Sequence, residues 1–175
     1  ETVGFFSEVS LFEFLSGTTW APLFEPRSFG VLPLISGTLV ISVGAAIIGL
    51  PTGLGVALFL NEYAPDWLRG IVKPVMEILA GIPTVVYGYF AVTTITPFLQ
   101  RLIPSVEVFN AASAAIVVGV MILPMVASLC DDAIRSVPRA LKDAGYALGA
   151  TTMEVSTQVT IPAALSGIMA SFILA

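Results

Sequence analysis

The sequence predicts an all-α, polytopic transmembrane helical bundle, and three observations carry that prediction. The first is composition: of 175 residues, 57% are hydrophobic and 11% charged, with a mean hydropathy of +0.97. A soluble domain carries about 25% charged residues, so these charges are too few to cover a water-facing surface. Disordered segments are charged and poor in apolar residues, the reverse of this chain. The second is the spacing of charges. Uncharged runs of 34, 23 and 23 residues separate Arg27 from Glu62, Glu77 from Arg101 and Glu107 from Asp131, and 21 more residues follow Glu154. About 20 apolar residues in a helix cross the roughly 30 Å hydrocarbon core. The third is that these runs lack the strict alternation of a membrane barrel strand.

Three complete spans and the start of a fourth are expected, over residues 34–60, 74–99, 111–130 and from 161 onward. Basic residues set the orientation. With residues 1–33 outside, Arg27 and Arg101 are outside, while Arg69, Lys73, Arg135, Arg139 and Lys142 are inside. Five against two agrees with the positive-inside rule. Within the spans, Ala45, Gly49, Gly53 and Ala57 recur every fourth residue, and Ala111, Ala115 and Gly119 repeat the pattern. Such stripes let helices approach closely in lipid. Pro51, Pro83 and Pro124 lie inside spans and are expected to free carbonyls and bend the helices. No span has a charge at its centre, which argues against a voltage sensor or proton-coupled carrier. Lys73 and Glu77 stand four residues apart, the spacing of an intrahelical ion pair.

Residues 1–33 mix aromatics (Phe5, Phe6, Phe12, Phe14, Trp20) with carboxylates (Glu1, Glu8, Glu13, Glu25). That mixture predicts an extracytoplasmic, interfacial segment. The chain has no histidine, so histidine acid–base catalysis and ligation are excluded, and its one cysteine, Cys130, permits neither an intrachain disulfide nor a cysteine zinc site. Its scattered basic residues form no patch for nucleic acid. It begins at Glu1 without methionine and ends at Ala175 within an apolar run, so it is expected to be a fragment of a longer chain.

The longest polar stretch between spans is 131–161, which holds Asp131, Asp132, Arg135, Arg139, Lys142, Asp143 and Glu154. It predicts two short helices facing the inside. The first runs over about 138–148, with Gly149 closing it. The second opens at Thr151 or Thr152, where Thr151 and Glu154 match the S/T-x-x-E capping box. Such a knob suits mechanical contact with another protein.

The segment DAGYALGATTMEVSTQVTIP resembles the EAA loop of ATP-binding-cassette importer permeases, whose pattern is E-A-A, three residues, Gly, nine residues, I-x-L-P. Asp143, Ala144 and Gly145 fall on E-A-A, Gly149 on the glycine, and Val159 to Pro162 on I-x-L-P. Ala144, Gly149 and Pro162 are identities, while Asp143, Gly145, Val159 and Ile161 depart conservatively. The resemblance implies a type I importer permease core over 34–175, partial here, with its coupling loop at 131–161. The segment 29–65 and the segment KPVMEILAGIPTVVYGYFAV, with Gly81 to Gly88 as its most specific part, resemble phosphate importer permeases. The opening FFSEVSLFEFLSGTTWAPLF resembles the PstC-type subunit more than its PstA-like partner.

The resemblance implies a non-catalytic permease subunit of an ATP-driven phosphate importer in the plasma (inner) membrane. Asp143, Ala144, Gly145, Tyr146, Leu148, Gly149, Met153 and Glu154 would couple it to a separate nucleotide-binding subunit, with Tyr146, Leu148 and Met153 as apolar anchors. ATP and Mg would be bound by that subunit, since this chain has no GxxxxGK[ST] phosphate loop. The other implied partners are a PstA-like permease, an extracytoplasmic phosphate-binding protein, phosphate and membrane lipid. Thr84 and Tyr87, beside Pro83, are candidate lining of the pathway, while back-bonding to helix carbonyls is the alternative for the hydroxyls of this span. The Arg and Glu that the family places in phosphate passage have no counterpart before Ala175. An importer permease for sulfate, molybdate or another solute remains an alternative, as does a secondary carrier.

Overall fold

The computed structural model describes residues 9–175; Glu1, Phe5, Phe6 and Glu8 of the expected interfacial segment lie outside them. The rest of that segment forms a short helix α1 (Leu11–Ser16) and a two-residue antiparallel ladder, β1 (Trp20–Ala21) with β2 (Ser28–Phe29). This ladder is the one departure from an all-α chain among the described residues. Trp20 and Phe29 face each other across it, rings edge-to-face at 6.2 Å. Phe12, Leu15, Leu23 and Phe24 are exposed.

Helix α2 (Leu32–Leu58) carries Pro33 in its first turn, where a missing N–H costs nothing. It runs on through a π-helical turn, Phe59–Tyr63, and stops at Pro65. Helix α3 (Asp66–Ala80) follows, and α4 (Thr84–Phe90) continues through a second π turn, Ala91–Ile95, into α5 (Thr96–Leu102). Helix α6 (Ala111–Arg135) is capped by Asn110, whose side chain accepts from the Ser113 N–H at 2.8 Å. After α7 (Arg139–Ala147) and α8 (Thr152–Val155), a third π turn, Ser156–Thr160, leads into α9 (Ile161–Leu174).

All three π turns stand directly before an X-Pro pair: Ala64–Pro65, where the helix ends, and Thr96–Pro97 and Ile161–Pro162, where it continues. A proline inside an α-helix clashes with the carbonyl four residues back. A widened turn moves that carbonyl aside, so the helix passes the proline unbroken. The last span is accordingly one helix over Thr152–Leu174, nine residues earlier than the predicted start at 161.

The second predicted span is corrected. Residues 74–99 do not form one straight helix: α3 and the helix from Thr84 to Leu102 meet at 90°. Pro83 is the cause. It drives Ile82 out of helical geometry and donates no hydrogen bond. Pro51 and Pro124, by contrast, sit within unbroken helices. At the corner the Leu79 carbonyl accepts from the Ile82 N–H at 3.2 Å and from the Tyr87 hydroxyl at 3.0 Å. The last carbonyls of α3, orphaned by the break, thus find donors.

Helix α6 is central. It runs parallel to α2, with Gly44 against Ala115, Gly49 against Gly119 and Ile122, and Gly53 against Val126. The predicted stripe Ala45, Gly49, Gly53, Ala57 is the buried face of α2. From the second stripe Ala115 and Gly119 are buried, whereas Ala111 is exposed. A Cβ on Gly49 would stand 2.8 Å from the Gly119 carbonyl oxygen, so only glycine permits this approach. Helix α9 returns antiparallel on α6, Gly167 against Ala133. The core of Ala57, Val126, Cys130, Ile134, Ala164 and Ile168 joins these three helices toward one end. Because α2 and α6 are parallel, the bent α3–α5 path carries the chain back between them. Three helices are long and apolar enough to cross a membrane, and the bent pair makes a fourth if it counts as one span.

Candidate functional site

The end of the bundle where α2 and α6 finish gathers Arg69, Lys73, Arg135, Arg139 and Lys142, all five basic residues predicted to lie inside. Helix α6 continues past Cys130, so Asp131, Asp132 and Arg135 belong to its last turns and not to a loop. Asp131 is buried there. Its carboxylate accepts from Asn61 Nδ2 at 3.2 Å and forms ion pairs with Arg135 Nε at 3.0 Å, Arg69 Nη2 at 3.6 Å and Lys73 Nζ at 3.9 Å. The expected Lys73–Glu77 pair is corrected. Lys73 turns instead toward α6, donating to Asp132 Oδ1 at 3.3 Å, because the buried Asp131 beside it draws the ammonium more strongly than an exposed carboxylate on its own helix.

Beyond this cluster stands the two-helix knob. Helix α7 ends on Gly149, whose φ of +83° is the left-handed conformation that side chains resist. The Ala150 N–H then reaches the Gly145 carbonyl at 3.2 Å, the six-to-one bond of a Schellman ending. Helix α8 opens with the predicted capping box. The Glu154 N–H donates to Thr151 Oγ1 at 3.3 Å, and the Thr151 N–H to Glu154 Oε2 at 2.8 Å. Glu154 is therefore committed to the cap. Gly145, where the family pattern has alanine, faces Val155: an added Cβ would stand 3.0 Å from Val155 Cγ2. Glycine there lets α7 lie close on α8.

The knob's apolar side chains are exposed, although Met153 Sδ accepts from the Tyr63 hydroxyl at 3.9 Å and Tyr146 borders the hollow between knob and bundle. Leu148 is 90% exposed, Met153 63% and Tyr146 41%. Asp143, Ala144 and Gly149 are also exposed. One strong bond ties the knob down. Lys142 Nζ sits 2.6 Å from Glu62 Oε1 and 3.2 Å from Asn61 Oδ1, both in the π turn that ends α2. Sequence reasoning missed Asn61, Glu62 and Asp131. A signal was present: Glu62 and Asp131 each end an uncharged run, and α2 and α6 finish side by side.

Thr84 and Tyr87 lie elsewhere, toward the opposite end. Both line an apolar groove of about 440 Å³ between α4 and α6, with Ala91, Ser113 and Val117. The Tyr87 hydroxyl is occupied by the Leu79 carbonyl, so its first role is to hold the 90° corner. Thr93 back-bonds to the Tyr89 carbonyl at 2.8 Å, as the alternative for these hydroxyls expects. Among the described residues no cluster of acidic or cysteine side chains is placed to hold a metal ion.

Residues 49–175 match the binding-protein-dependent transport system inner membrane component. The chain belongs to this family. It is accordingly a multi-pass inner-membrane protein. A probable ABC transporter permease protein, YqgH, of Bacillus subtilis is 38% identical over 95% of this chain and 54% of its own length. The phosphate transport system permease protein PstC of Mesorhizobium japonicum is 34% identical over 94% of this chain and 55% of its own. That of Haemophilus influenzae is 34% identical over 92% and 56%. The chain thus spans about half the length of these curated relatives. Among solved structures, the MetNI methionine ABC transporter in inward-facing conformations superposes with a TM-score of 0.61 at 25% identity, over 83% of this chain and 65% of that one. The fold is that of a type I importer permease of this family.

Proposed function

We propose that the chain is part of a PstC-type permease subunit of an ATP-driven phosphate importer, and that residues 143–154 couple it to a separate ATPase subunit. The observation that carries this reading is the knob: two short helices, closed at Gly149 and Thr151, with Leu148 bare and Met153 largely exposed at the basic end. Exposed apolar side chains on a rigid support are what a partner's groove takes up. The positive-inside rule puts this end in the cytoplasm, where an ATPase would reach it. Relatives named for phosphate transport support the solute.

In this reading Tyr146, Leu148 and Met153 anchor in the ATPase, and Asp143 pairs with a basic group there. Ala144, Gly145 and Gly149 keep the knob's shape, and Glu154 caps it. ATP and Mg bind the partner, and this chain does no covalent chemistry. Movement of the knob passes through Lys142 and Glu62 into α2. A PstA-like permease completes the pathway, an extracytoplasmic binding protein delivers phosphate, and Thr84 and Tyr87 contribute polar groups to the lining.

Gly149→Asp and Ala144→Glu in the full-length permease test the coupling. Co-purification of the ATPase subunit is expected to fall at least tenfold, and ATP-driven phosphate uptake into vesicles to stop. Unchanged retention of the ATPase would refute the coupling role. Sulfate or molybdate competing equally with phosphate in the same vesicles would refute the solute while leaving the coupling intact.

A further inference from the structure

Beneath the knob lies a polar cavity of about 410 Å³, walled by α3, the end of α6 and the inner face of α7. Four cationic side chains line it, Arg69, Arg135, Arg139 and Lys142, against one carboxylate, Asp143, with Asn61 at its edge. Part of that charge is met: Arg135 and Arg69 share Asp131, and Lys142 has Glu62. Two groups are not. Among the described residues no carboxylate stands within ion-pair distance of Arg139. Nε and Nη2 of Arg69 are buried without a hydrogen-bond acceptor, Nη2 being 3.6 Å from Asp131. Buried donors left unmet carry the full desolvation cost of the group. In a chain of net charge −5, a hollow with this excess of donors runs against the overall balance.

We propose that this cavity binds a phosphate group, either free or as the headgroup of an anionic lipid. Its guanidinium groups supply forked, always-charged donors suited to a tetrahedral oxyanion. Its place between helix ends on the basic side is where anionic headgroups enter helical membrane proteins. The Nε and Nη2 of Arg69 would then gain the acceptors they lack, and Arg139 its counter-charge. A bound phosphate would also join α3 and α6 to α7, bracing the knob from inside. The inference stands on the cavity alone and is independent of the solute that the bundle carries.

The test reads the site itself. The full-length permease, assembled with its partner subunits in phosphatidylcholine nanodiscs, is treated with the arginine reagent phenylglyoxal. Labelling of Arg135 and Arg139 is followed by peptide mass spectrometry, with Arg101 near the opposite end as internal reference. Added inorganic phosphate, or exchange into phosphatidylglycerol nanodiscs, is expected to slow Arg139 labelling at least threefold relative to potassium chloride of equal ionic strength. Protection by inorganic phosphate identifies a free anion, and protection by phosphatidylglycerol a headgroup. Arg69→Lys keeps a charge beside Asp131 but removes the fork, and is expected to cut the protection by at least half. The proposal is overturned if neither addition protects Arg139, if Arg139 is unlabelled even without anion, or if a folded Arg69→Lys variant is protected as fully as the wild type. Should Arg69→Lys fail to fold, the wild-type arms decide alone.

Discussion

Helices α2 and α6 are held together twice, by opposite means. Along the membrane they meet through Gly44, Gly49, Gly53, Ala115 and Gly119, with backbone and small side chains in close approach. At the basic end the same two helices meet through charge: Asn61 and Glu62 after α2, Asp131 and Arg135 in α6, with Arg69, Lys73 and Lys142 brought in from α3 and α7. The seam is specified by volume, and each small residue has one acceptable size. The cluster is specified by sign. Its most buried anion, Asp131, faces several cations, which are partly exchangeable. A joint of the first kind keeps two helices as one body. A joint of the second kind survives rearrangement, because a carboxylate faced by three cations can lose one without being left alone.

The comparison is sharpened first at Asp131. Asp131→Ala removes the anion and leaves Arg69 and Arg135 without a counter-charge, and a loss of about 3–5 kcal/mol is expected on breaking a buried pair this way. A fall in melting temperature of the purified permease measures it. Next comes Gly49→Leu in the seam. The new side chain has nowhere to go, since even a Cβ would meet Ile122 and the Gly119 carbonyl within 2.8 Å. Overpacking of this kind costs about 1–3 kcal/mol, seen as a lower melting temperature and poorer recovery of monodisperse protein. The smallest effect belongs to Lys73→Met. Lys73 is partly exposed and Asp131 keeps Arg69 and Arg135, so the loss is expected to stay under about 1 kcal/mol. A loss at Lys73 as large as at Asp131 would show that the cations are not interchangeable, and the contrast between the two joints would fail.

The seam was legible in the sequence and the cluster was not. Small residues at intervals of four need one helix and one face to be read, and the burial of Ala45, Gly49, Gly53 and Ala57 follows directly. The capping box at Thr151 and the left-handed Gly149 were equally local, each decided within four residues. The pairing of Lys142 with Glu62 spans 80 positions, and no local spacing foretells it. Lys73 shows the same limit from the other side, since its local partner Glu77 was outcompeted by residues on α6. The 90° corner was half legible. Pro83 announced a bend, but its angle depends on how α3 and α4 pack, which composition does not encode.

The π turns have a consequence for how the apolar faces line up. A widened turn takes up one extra residue, and in an α-helix each residue advances the side chains by about 100°. On the last helix the buried positions are Val155, Ser156, Thr160, Ala164, Ile168 and Ser171, so that Val155 and Thr160 stand five apart with the π turn Ser156–Thr160 between them and the later positions follow at four, four and three. Ala91 and Thr96 repeat that step of five across the second π turn. The extra residue is thus absorbed where the helix must also clear a proline, and the buried line stays straight down the rod. Removing one residue from Ser156–Thr160 would rotate everything beyond it by about a quarter turn, taking Ala164 and Ile168 off α6 and facing them to lipid.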